Sequence, residues 1–339
     1  MDAAFEIVAP AIRRVAQSEG VKLIEFHRDD PIWRLSFARQ AGGEAVVDVA
    51  WQEDRPDTYI VSATWWVDDY DSTMRRLHRE NVGEFTNKPE YKIVKSSGSV
   101  YQYIAFNLHD PILGKKEVRQ AIAHAIDRER IIKDIQRGYA EPTETMLSKG
   151  HWARAENLPS YPYDPAKAKQ LLAQAGYPHG LSVVFRTSTD AEANSRAQVI
   201  QQMVKAAGID MKIQSNETST FLADIGKGNF QLYSLSRNGI QDPDFYYILF
   251  ASKNVPPEGQ NRGFYANPKI DQLLEQGRST FDRAKRKPVY DEVQRILADD
   301  LPYISLYLQN NVAVMRSNID GYVQYPAGFW LSVPEMSIR

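Results

Sequence analysis

The most regular pattern of apolar and polar positions runs from Tyr101 to Gly138. The apolar run over 101–106 predicts a buried strand, and the turn-forming pair Asp110-Pro111 follows it. Beyond the turn, apolar residues recur at helical spacing and share one face: Val118, Ile122, Ala125 and Ile126. The segment therefore predicts a strand followed by an amphipathic helix.

A second, shorter helix is predicted directly after the first one. Asp127 can cap it, because its carboxylate can accept a hydrogen bond from the backbone N–H of Glu129 or Arg130. Gly138 is typical of a helix end. The apolar face of this helix consists of isoleucines, namely Ile131, Ile132 and Ile135.

Residues 1–85 predict a small α+β part. Short apolar or alternating runs indicate three or four strands, and clusters of turn residues separate them. An amphipathic helix is predicted on each side of these strands. The predicted helices cover 2–19 and 72–79, and the predicted strands cover 21–26, 32–38, 45–51 and 59–67.

Strands and helices alternate through the rest of the chain. Asp164 followed by Pro165 predicts a capped helix start. A strand–helix–strand pattern over 181–214 is too long for a hairpin, so it predicts two parallel strands joined by a right-handed crossover. The segment 87–99 predicts a linker with a short strand. Further strands are predicted at 230–235 and 301–314, and further helices at 166–175, 220–225, 246–250 and 288–298.

Composition excludes several classes of protein. The chain of 339 residues has no cysteine, which excludes disulfides and thiol nucleophiles. Its six histidines show no i, i+4 pair, so we expect no metal site and no cofactor. The net charge of −2 argues against a nucleic-acid interface, which needs a concentrated basic face. The basic run over 283–287 is accordingly interpreted as a solvated helix face.

The sequence also shows no catalytic or targeting pattern. It contains no Ser-His-Asp order, glycine-rich phosphate loop or His-Glu-x-x-His motif, so we do not expect an enzyme. The first residues, Met-Asp-Ala-Ala-Phe, have no basic or apolar region, so we expect no signal peptide in the chain as it stands. No apolar run approaches the ~20 residues that a membrane span needs.

Several ordered motifs resemble one protein family. They are Tyr-Ile-Ala-Phe-Asn (103–107), Val-Arg-Gln-Ala-Ile-Ala-His-Ala-Ile-Asp-Arg (118–128), Arg-Gly-Tyr-Ala-Glu-Pro (137–142), Gly-His-Trp (150–152) and Asp-Pro-Asp (242–244). Together they resemble the extracytoplasmic solute-binding proteins of the peptide- and nickel-import type, which are receptors of ABC importers. The resemblance extends from about residue 68 to residue 330 and is strongest from residue 101 onward.

The resemblance implies an α/β fold (α+β by strict counting). It would be a type II periplasmic-binding-protein-like lobe with a mixed sheet, next to the small N-terminal α+β part. It divides the chain into residues 1–85, a fused domain or a remnant of the first lobe, a solute-binding third domain over 86–300, and a segment over 301–339 that returns to the first lobe. A hinge is expected near 97–107 and 300–307.

The resemblance further implies a periplasmic, monomeric protein that binds oligopeptides or a similar small polar solute in an interdomain cleft. The closed form would dock on the permease subunits in the membrane. Two alternatives remain open: a cytoplasmic solute-sensing regulator, and a truncated receptor fragment that binds nothing. Strands rather than consecutive short helices in the N-terminal part argue against a regulator with a DNA-binding helix-turn-helix.

Several residues are candidates for ligand binding. Arg186 ends a predicted strand, where ligands of open α/β sheets bind, although a surface pair with Asp190 or Glu192 is slightly favoured. Asp242 and Asp244 flank a proline. A turn is about twice as probable an explanation for this pattern as a ligand site. The remaining candidates are Tyr101, Tyr103 and Asn107 near the hinge and Trp152 in a polar loop. Core packing explains each of them at least as well as ligand binding does.

Arg237 marks a departure from the family pattern. Members commonly carry a tryptophan and an acidic residue a few positions before Asp-Pro-Asp, and the acid holds the ligand's amine. The corresponding stretch here is Ser-Arg-Asn-Gly-Ile-Gln (236–241), which has no acid and has Arg237 near the tryptophan position. This departure favours an anionic or amine-blocked ligand over a dipeptide with a free amine.

Overall fold

The structure is a computed structural model of the chain. It describes the backbone of four strands over 21–29, 32–39, 44–51 and 59–66, and it describes residues 82, 85–238, 240–325, 332 and 336–339. The chain divides into two compact units, residues 1–77 and residues 78–339. The helices predicted over 2–19 and 72–79 lie outside the described residues. The domain boundaries expected at residues 85 and 300 stay a prediction.

The first unit contains an antiparallel sheet with strand order β1-β2-β3-β4. Each strand pairs with the one that follows it in the chain, as short connections rich in turn residues favour. The strands predicted in this part are confirmed. Their bounds are β1 (Val21–Asp29), β2 (Ile32–Arg39), β3 (Glu44–Trp51) and β4 (Tyr59–Trp66).

The second unit is built on a six-stranded mixed sheet with strand order β6-β10-β5-β9-β7-β8. Strand β7 runs parallel to β8 and β9, which confirms the predicted parallel pair of β7 and β8, whereas β5 and β10 run antiparallel to their neighbours. The strands are β5 (Tyr91–Phe106), β6 (Ala140–Pro142), β7 (Leu181–Ser188), β8 (Ile209–Asn216), β9 (Leu232–Arg237) and β10 (Tyr303–Arg316). A separate pair is formed by β11 (Ile319–Asp320) and β12 (Ser337–Ile338).

Helices cover both faces of this sheet. They are α1 (Lys116–His124), α2 (Arg128–Asp134), α3 (Pro165–Gln174), α4 (Ala191–Lys205), α5 (Thr218–Gly226), α6 (Phe245–Phe250), α7 (Pro268–Arg278) and α8 (Arg283–Asp300). Two predicted caps are confirmed. The Asp127 carboxylate accepts from the N–H of Arg130 at 3.0 Å, and the Asp164 carboxylate accepts from the N–H of Lys167 at 2.9 Å.

Strand β5 is longer than the sequence predicted. The short strand expected within 87–99 is confirmed, but the linker expected from Ser96 onward is wrong, because Ser96 and Ser97 pair with β10 inside a continuous antiparallel ribbon. The pairing skips two residues at Gly98, where a Cβ atom would lie 1.9 Å from the carbonyl oxygen of Gln309. Only glycine permits this close approach of the two backbones. Gly98, a residue type common in linkers, is therefore required here by the pairing of two strands.

Side chains of the sheet alternate between two separate cores. One face, which we call the aliphatic face, includes Ile104, Phe106 and Phe185 and packs on α1, α2, α3 and α4. The other, which we call the tyrosine face, includes Tyr101, Tyr103 and Tyr233 and packs on α5, α6, α7 and α8. In the described part of the chain, no helix is long and apolar enough to cross a membrane.

Candidate functional site

The parallel strands of the second unit end at one edge of the sheet. This edge, which we call the carboxyl edge, carries Ser188 of β7, Asn216 of β8 and Arg237 of β9. Because β5 is antiparallel to β9, Tyr101 pairs with Arg237 there, and Leu308 of β10 pairs with Tyr101. Ligands of open α/β sheets bind outside the carboxyl ends of the strands, so this edge is the place to look for a site.

An open groove of about 600 Å³ lies beside this edge. Its walls are the strand residues Glu141, Pro142 and Leu308 and the loop residues Lys149, Gly150, His151, Arg154 and Glu156. The volume lies in the range of small-molecule sites, and charges of both signs line it. The groove therefore suits a small polar ligand that carries both positive and negative groups.

Hydrogen bonds hold the groove's loop in place. His151 contacts the carbonyl oxygen of Gln241 through Nε2 at 2.9 Å and accepts from the N–H of Ala153 through Nδ1 at 3.1 Å. Arg154 donates to the carbonyl oxygen of Leu147 and to the hydroxyl of Thr143. The contact with Gln241 ties this loop to the segment that follows β9, so the groove and Arg237 belong to one region.

Tyrosines form the floor next to the carboxyl edge. The rings of Tyr101 and Tyr103 stack at 5.3 Å, and those of Tyr103 and Tyr303 stack at 4.5 Å. The Tyr101 hydroxyl hydrogen-bonds to Ser305 at 2.7 Å, and burial raises its pKa well above the ordinary value. Tyr101 and Tyr103 are thus packed inside the tyrosine face rather than standing free in the groove.

Arg237 lies at the end of this tyrosine cluster and is partly buried. Burial lowers the pKa of its guanidinium, but the phenol oxygens of Tyr103, Tyr303 and Tyr233 together raise that pKa, so the net shift is upward and the side chain remains charged. Its Nε atom is buried and has no hydrogen-bond partner.

Asp242 and Asp244 are engaged within the chain. The Asp242 carboxylate accepts two hydrogen bonds from Arg286, at 2.6 and 3.0 Å, and one from the N–H of Asp244 at 2.8 Å. These bonds lower the pKa of Asp242, with the bond from Arg286 as the largest cause. Asp244 lies 3.5 Å from Arg278. The contacts agree with the alternative that these two residues form a turn.

Arg286 corrects one expectation drawn from the sequence. The basic run over 283–287 was expected to be a solvated face, which is wrong for this residue, whose surface is only 6% exposed. Its bond to Asp242 and its Nε bond to the carbonyl oxygen of Gly277 at 2.9 Å draw it into the protein. The run therefore anchors the Asp-Pro-Asp turn.

Trp152 lies behind the groove and is partly buried. Its ring stacks on that of His151 at 5.8 Å, and the guanidinium carbons of Arg283 and Arg286 lie 5.5 and 5.3 Å from the ring centre. Cations over an indole face stabilise its position. Trp152 therefore supports the residues that line the groove.

Arg186 pairs with a residue that the sequence did not indicate. Its guanidinium lies 2.8 Å from Asp224 of α5, so the expected alternative of Asp190 or Glu192 is wrong. Strand alternation explains the difference, because Arg186 points away from the aliphatic face, whereas Glu192 belongs to the helix that covers that face. Glu192 instead pairs with Arg196 at 3.3 Å.

Asn107 lies at the opposite end of β5. Its side-chain amide donates to the carbonyl oxygens of Gly228 and Phe230, at 3.2 and 3.0 Å. Five residue steps separate Tyr101 from Phe106, which places Asn107 on the order of 16 Å or more from the carboxyl edge. The structure therefore does not bring Asn107 together with Arg237, and Asn107 closes the far side of the sheet.

The sequence analysis missed a buried polar network at the carboxyl edge. The amide nitrogen of Gln136 donates to Glu192 at 2.9 Å and to the Tyr307 hydroxyl at 2.8 Å. Arg196 lies 3.4 Å from the same hydroxyl. Gln136 and Tyr307 are fully buried, so the network fixes the start of α4 against β10. The sequence signal was available: a Glu–Arg pair at i, i+4 in a helix that follows a strand.

A second, much smaller cavity lies under Tyr101. It measures about 50 Å³ and is lined by Arg128, Thr145, Gln294 and Ser305, among others. A space of this size holds one or two waters rather than a peptide. The described residues also include no group of three or more side chains that could hold a metal ion.

A match to a known family decides the protein's class. Residues 67–257 match the family described as bacterial extracellular solute-binding proteins, family 5, in its middle part. The chain belongs to this family. The match covers β5 to β9, the loop that lines the groove and the Asp-Pro-Asp turn, and it confirms the family resemblance seen in the sequence.

Curated relatives of this family 5 protein include the glutathione-binding protein GsiB of Salmonella choleraesuis. The two are 30% identical over 251 residues, which make up 72% of this chain and 49% of the relative. The protein of the same name from Escherichia coli strain K12 is 29% identical over 239 residues, or 68% and 46% of the two chains. The chain thus spans about half the length of the curated relatives it matches.

Solved structures with the same fold include HbpA2 from Haemophilus parasuis, with a TM-score of 0.71 and 19% identity over 98% of this chain and 68% of that one. DppA from Helicobacter pylori, in complex with the peptide STSA, has a TM-score of 0.68 and 23% identity over 100% of this chain and 67% of that one. These structures confirm the predicted fold class, an α/β periplasmic binding protein of type II.

Proposed function

We propose that this protein is the substrate-binding component of an ABC importer and that it binds a small peptide or a similar polar solute. The family match over residues 67–257 carries the proposal, because it includes every residue predicted to bind ligand. The groove of about 600 Å³ beside the carboxyl edge supports it with a site of suitable size and mixed charge.

The relatives' names indicate a ligand class. GsiB is named as a glutathione-binding protein, and DppA was solved with a peptide. By analogy, the ligand here is a short peptide of about glutathione's size. The protein would act outside the cytoplasm, in the periplasm, as a monomer that delivers its ligand to permease subunits without chemical change. This analogy rests on the shared fold and family, so it has to be tested through the chemistry of the site residues.

Thermal unfolding of the purified chain with and without glutathione and a set of short peptides tests the proposal. A ligand present at 100 times its dissociation constant adds about 2.7 kcal/mol to the free energy of unfolding, which raises the midpoint by several degrees. A cooperative transition that shifts with one of these ligands would support the proposal. A cooperative transition that none of them moves would contradict the peptide ligand.

A further inference from the structure

Arg237 is a half-buried arginine without a carboxylate partner among the described residues. Arg186, Arg196 and Arg286 each pair with a carboxylate, at 2.8, 3.3 and 2.6 Å, and the buried Arg119 donates to several backbone carbonyl oxygens instead. The Nε atom of Arg237 is itself buried and has no hydrogen bond. Withdrawing a cation from water without a counter-ion costs free energy, which a bound anion can offset.

The groups around Arg237 are also incompletely satisfied. The hydroxyls of Tyr103 and Tyr233 are buried, and neither makes a hydrogen bond of ordinary geometry in the described part of the chain. Their rings meet edge to face at 6.2 Å. Both hydroxyls and the guanidinium can donate hydrogen bonds. Several donors and one positive charge thus converge at the end of the tyrosine face, and no carboxylate among the described residues pairs with them.

The position of Arg237 connects this cluster to the groove. Leu308, Tyr101 and Arg237 pair in succession across neighbouring strands. Strands in a sheet are spaced about 4.8 Å apart, so Arg237 lies on the order of 10 Å from the groove wall at Leu308. A ligand of tripeptide size that fills the groove can reach this distance.

We infer that Arg237 binds a carboxylate of the ligand and thereby selects anionic ligands, such as a short peptide with an acidic side chain. The inference rests on the proposed function and names its ligand class. A carboxylate matches the planar fork of a guanidinium and accepts two parallel hydrogen bonds from it. It would supply both the missing counter-ion and the missing acceptor.

Calorimetric titration with matched probes tests the inference. The probes are two pairs of N-acetylated tripeptide amides, Glu-Ala-Ala with Gln-Ala-Ala and Ala-Ala-Glu with Ala-Ala-Gln, so that each pair differs by one carboxylate. We expect the unchanged protein to bind one acidic probe about tenfold or more tightly than its amide counterpart, since a hydrogen-bonded ion pair is lost with the carboxylate. Arg237→Met should remove this preference, and Arg237→Lys should keep part of it.

Arg295→Met is the matched control. Arg295 is an exposed arginine on α8 that pairs with Glu292 of the same helix, so its removal should leave every affinity unchanged. Unfolding without ligand adds a second readout. Because Arg237 has no carboxylate partner, Arg237→Met should unfold at the same temperature as the unchanged protein or at a higher one.

Each outcome decides the question. If the probes bind but Arg237→Met keeps the preference for the acidic one, the inference fails and the proposed function stands. Equal binding of acidic and neutral probes by the unchanged protein has the same meaning. An Arg237→Met variant that unfolds several degrees lower, or does not fold, would show a structural role and overturn the inference. If no probe and no peptide binds the unchanged protein, the proposed function fails together with the inference.

Discussion

The two faces of the six-stranded sheet use different chemistry. The aliphatic face is closed by residues such as Ile104, Ile122 and Ile200, which have no polar atoms to satisfy. The tyrosine face carries a chain of stacked phenols whose hydroxyls are only partly hydrogen-bonded. The difference teaches that apolar side chains supply most of one face, where buried polar groups such as Thr187 and Arg196 are few, whereas the other face places a row of phenols with unsatisfied hydroxyls next to the carboxyl edge. Such groups are costly unless a ligand satisfies them.

The largest effect is expected on the aliphatic face. Ile104→Ala removes a side chain that is fully buried between β5 and its covering helices. The lost contacts and the resulting cavity should lower the free energy of unfolding by about 2–5 kcal/mol. Urea unfolding followed by circular dichroism measures this change. A loss well under 1 kcal/mol would mean that neighbouring side chains relax into the cavity and that this face is not the main source of stability.

A smaller but still large effect is expected at the ribbon that both faces share. In Gly98→Ala the new methyl group would meet the carbonyl oxygen of Gln309, so β5 and β10 must separate locally. We expect a loss of about 1–3 kcal/mol. Gly226→Ala is the control, because a Cβ atom there meets nothing within 4 Å. Equal unfolding midpoints for the two variants would show that the ribbon bends freely.

The ion pair that anchors the Asp-Pro-Asp turn should make stability depend on pH. Arg286 lowers the pKa of Asp242 in the folded protein, so the pair stabilises the fold above the unfolded pKa of about 4 and loses this contribution as pH falls through the lower, folded value. We expect Asp242→Asn to unfold at a lower temperature than the unchanged protein at pH 7 and at nearly the same temperature at pH 2–3.

One further variant controls this pH dependence. Asp282→Asn changes a carboxylate whose side chain is 47% exposed, and asparagine can keep the hydrogen bond that Asp282 accepts from the N–H of Ala284, so this variant should lower the unfolding temperature at pH 7 by less than Asp242→Asn does. A gap between Asp242→Asn and the unchanged protein that persists at the lowest pH would contradict an electrostatic role for Asp242.

The smallest effects should separate satisfied from unsatisfied tyrosines. Tyr101→Phe breaks the hydrogen bond to Ser305 and should cost about 1 kcal/mol. Tyr103→Phe removes a buried hydroxyl that makes no hydrogen bond of ordinary geometry in the described part of the chain, so the free energy of unfolding without ligand should fall by less than about 0.5 kcal/mol or should rise. Equal losses in the two variants would show that the two hydroxyls are satisfied alike.

Local patterns predicted those parts of the fold that depend on neighbouring residues. The buried run over 101–106, the cap of Asp127 and the parallel pairing of β7 with β8 are each set within about thirty residues, and each is confirmed. Local spacing could not show that Tyr101 and Tyr103 would lie on the tyrosine face, or that Tyr103 would lie beside Arg237.

Partners that are distant in sequence could not be predicted. Arg186 finds Asp224 and Arg286 finds Asp242 because helices dock on one particular face of the sheet, which no single element specifies. The true length of β5 was hidden for the same reason, since Ser96, Ser97 and Gly98 become strand only when β10 lies beside them. Secondary-structure propensity describes a residue without its tertiary contacts, and strand pairing overrides it in the folded protein.

The ribbon of β5 and β10 also fixes an order of events during synthesis. Ala105 pairs with Tyr303, so the central strand leaves the ribosome long before its partner on that side is made. Until then one edge of β5 exposes unpaired backbone groups, which is a template for association with other chains. We expect a nascent chain arrested before residue 303 to bind chaperones and to aggregate when released, whereas one extended past residue 316 should close the sheet in a late, cooperative step.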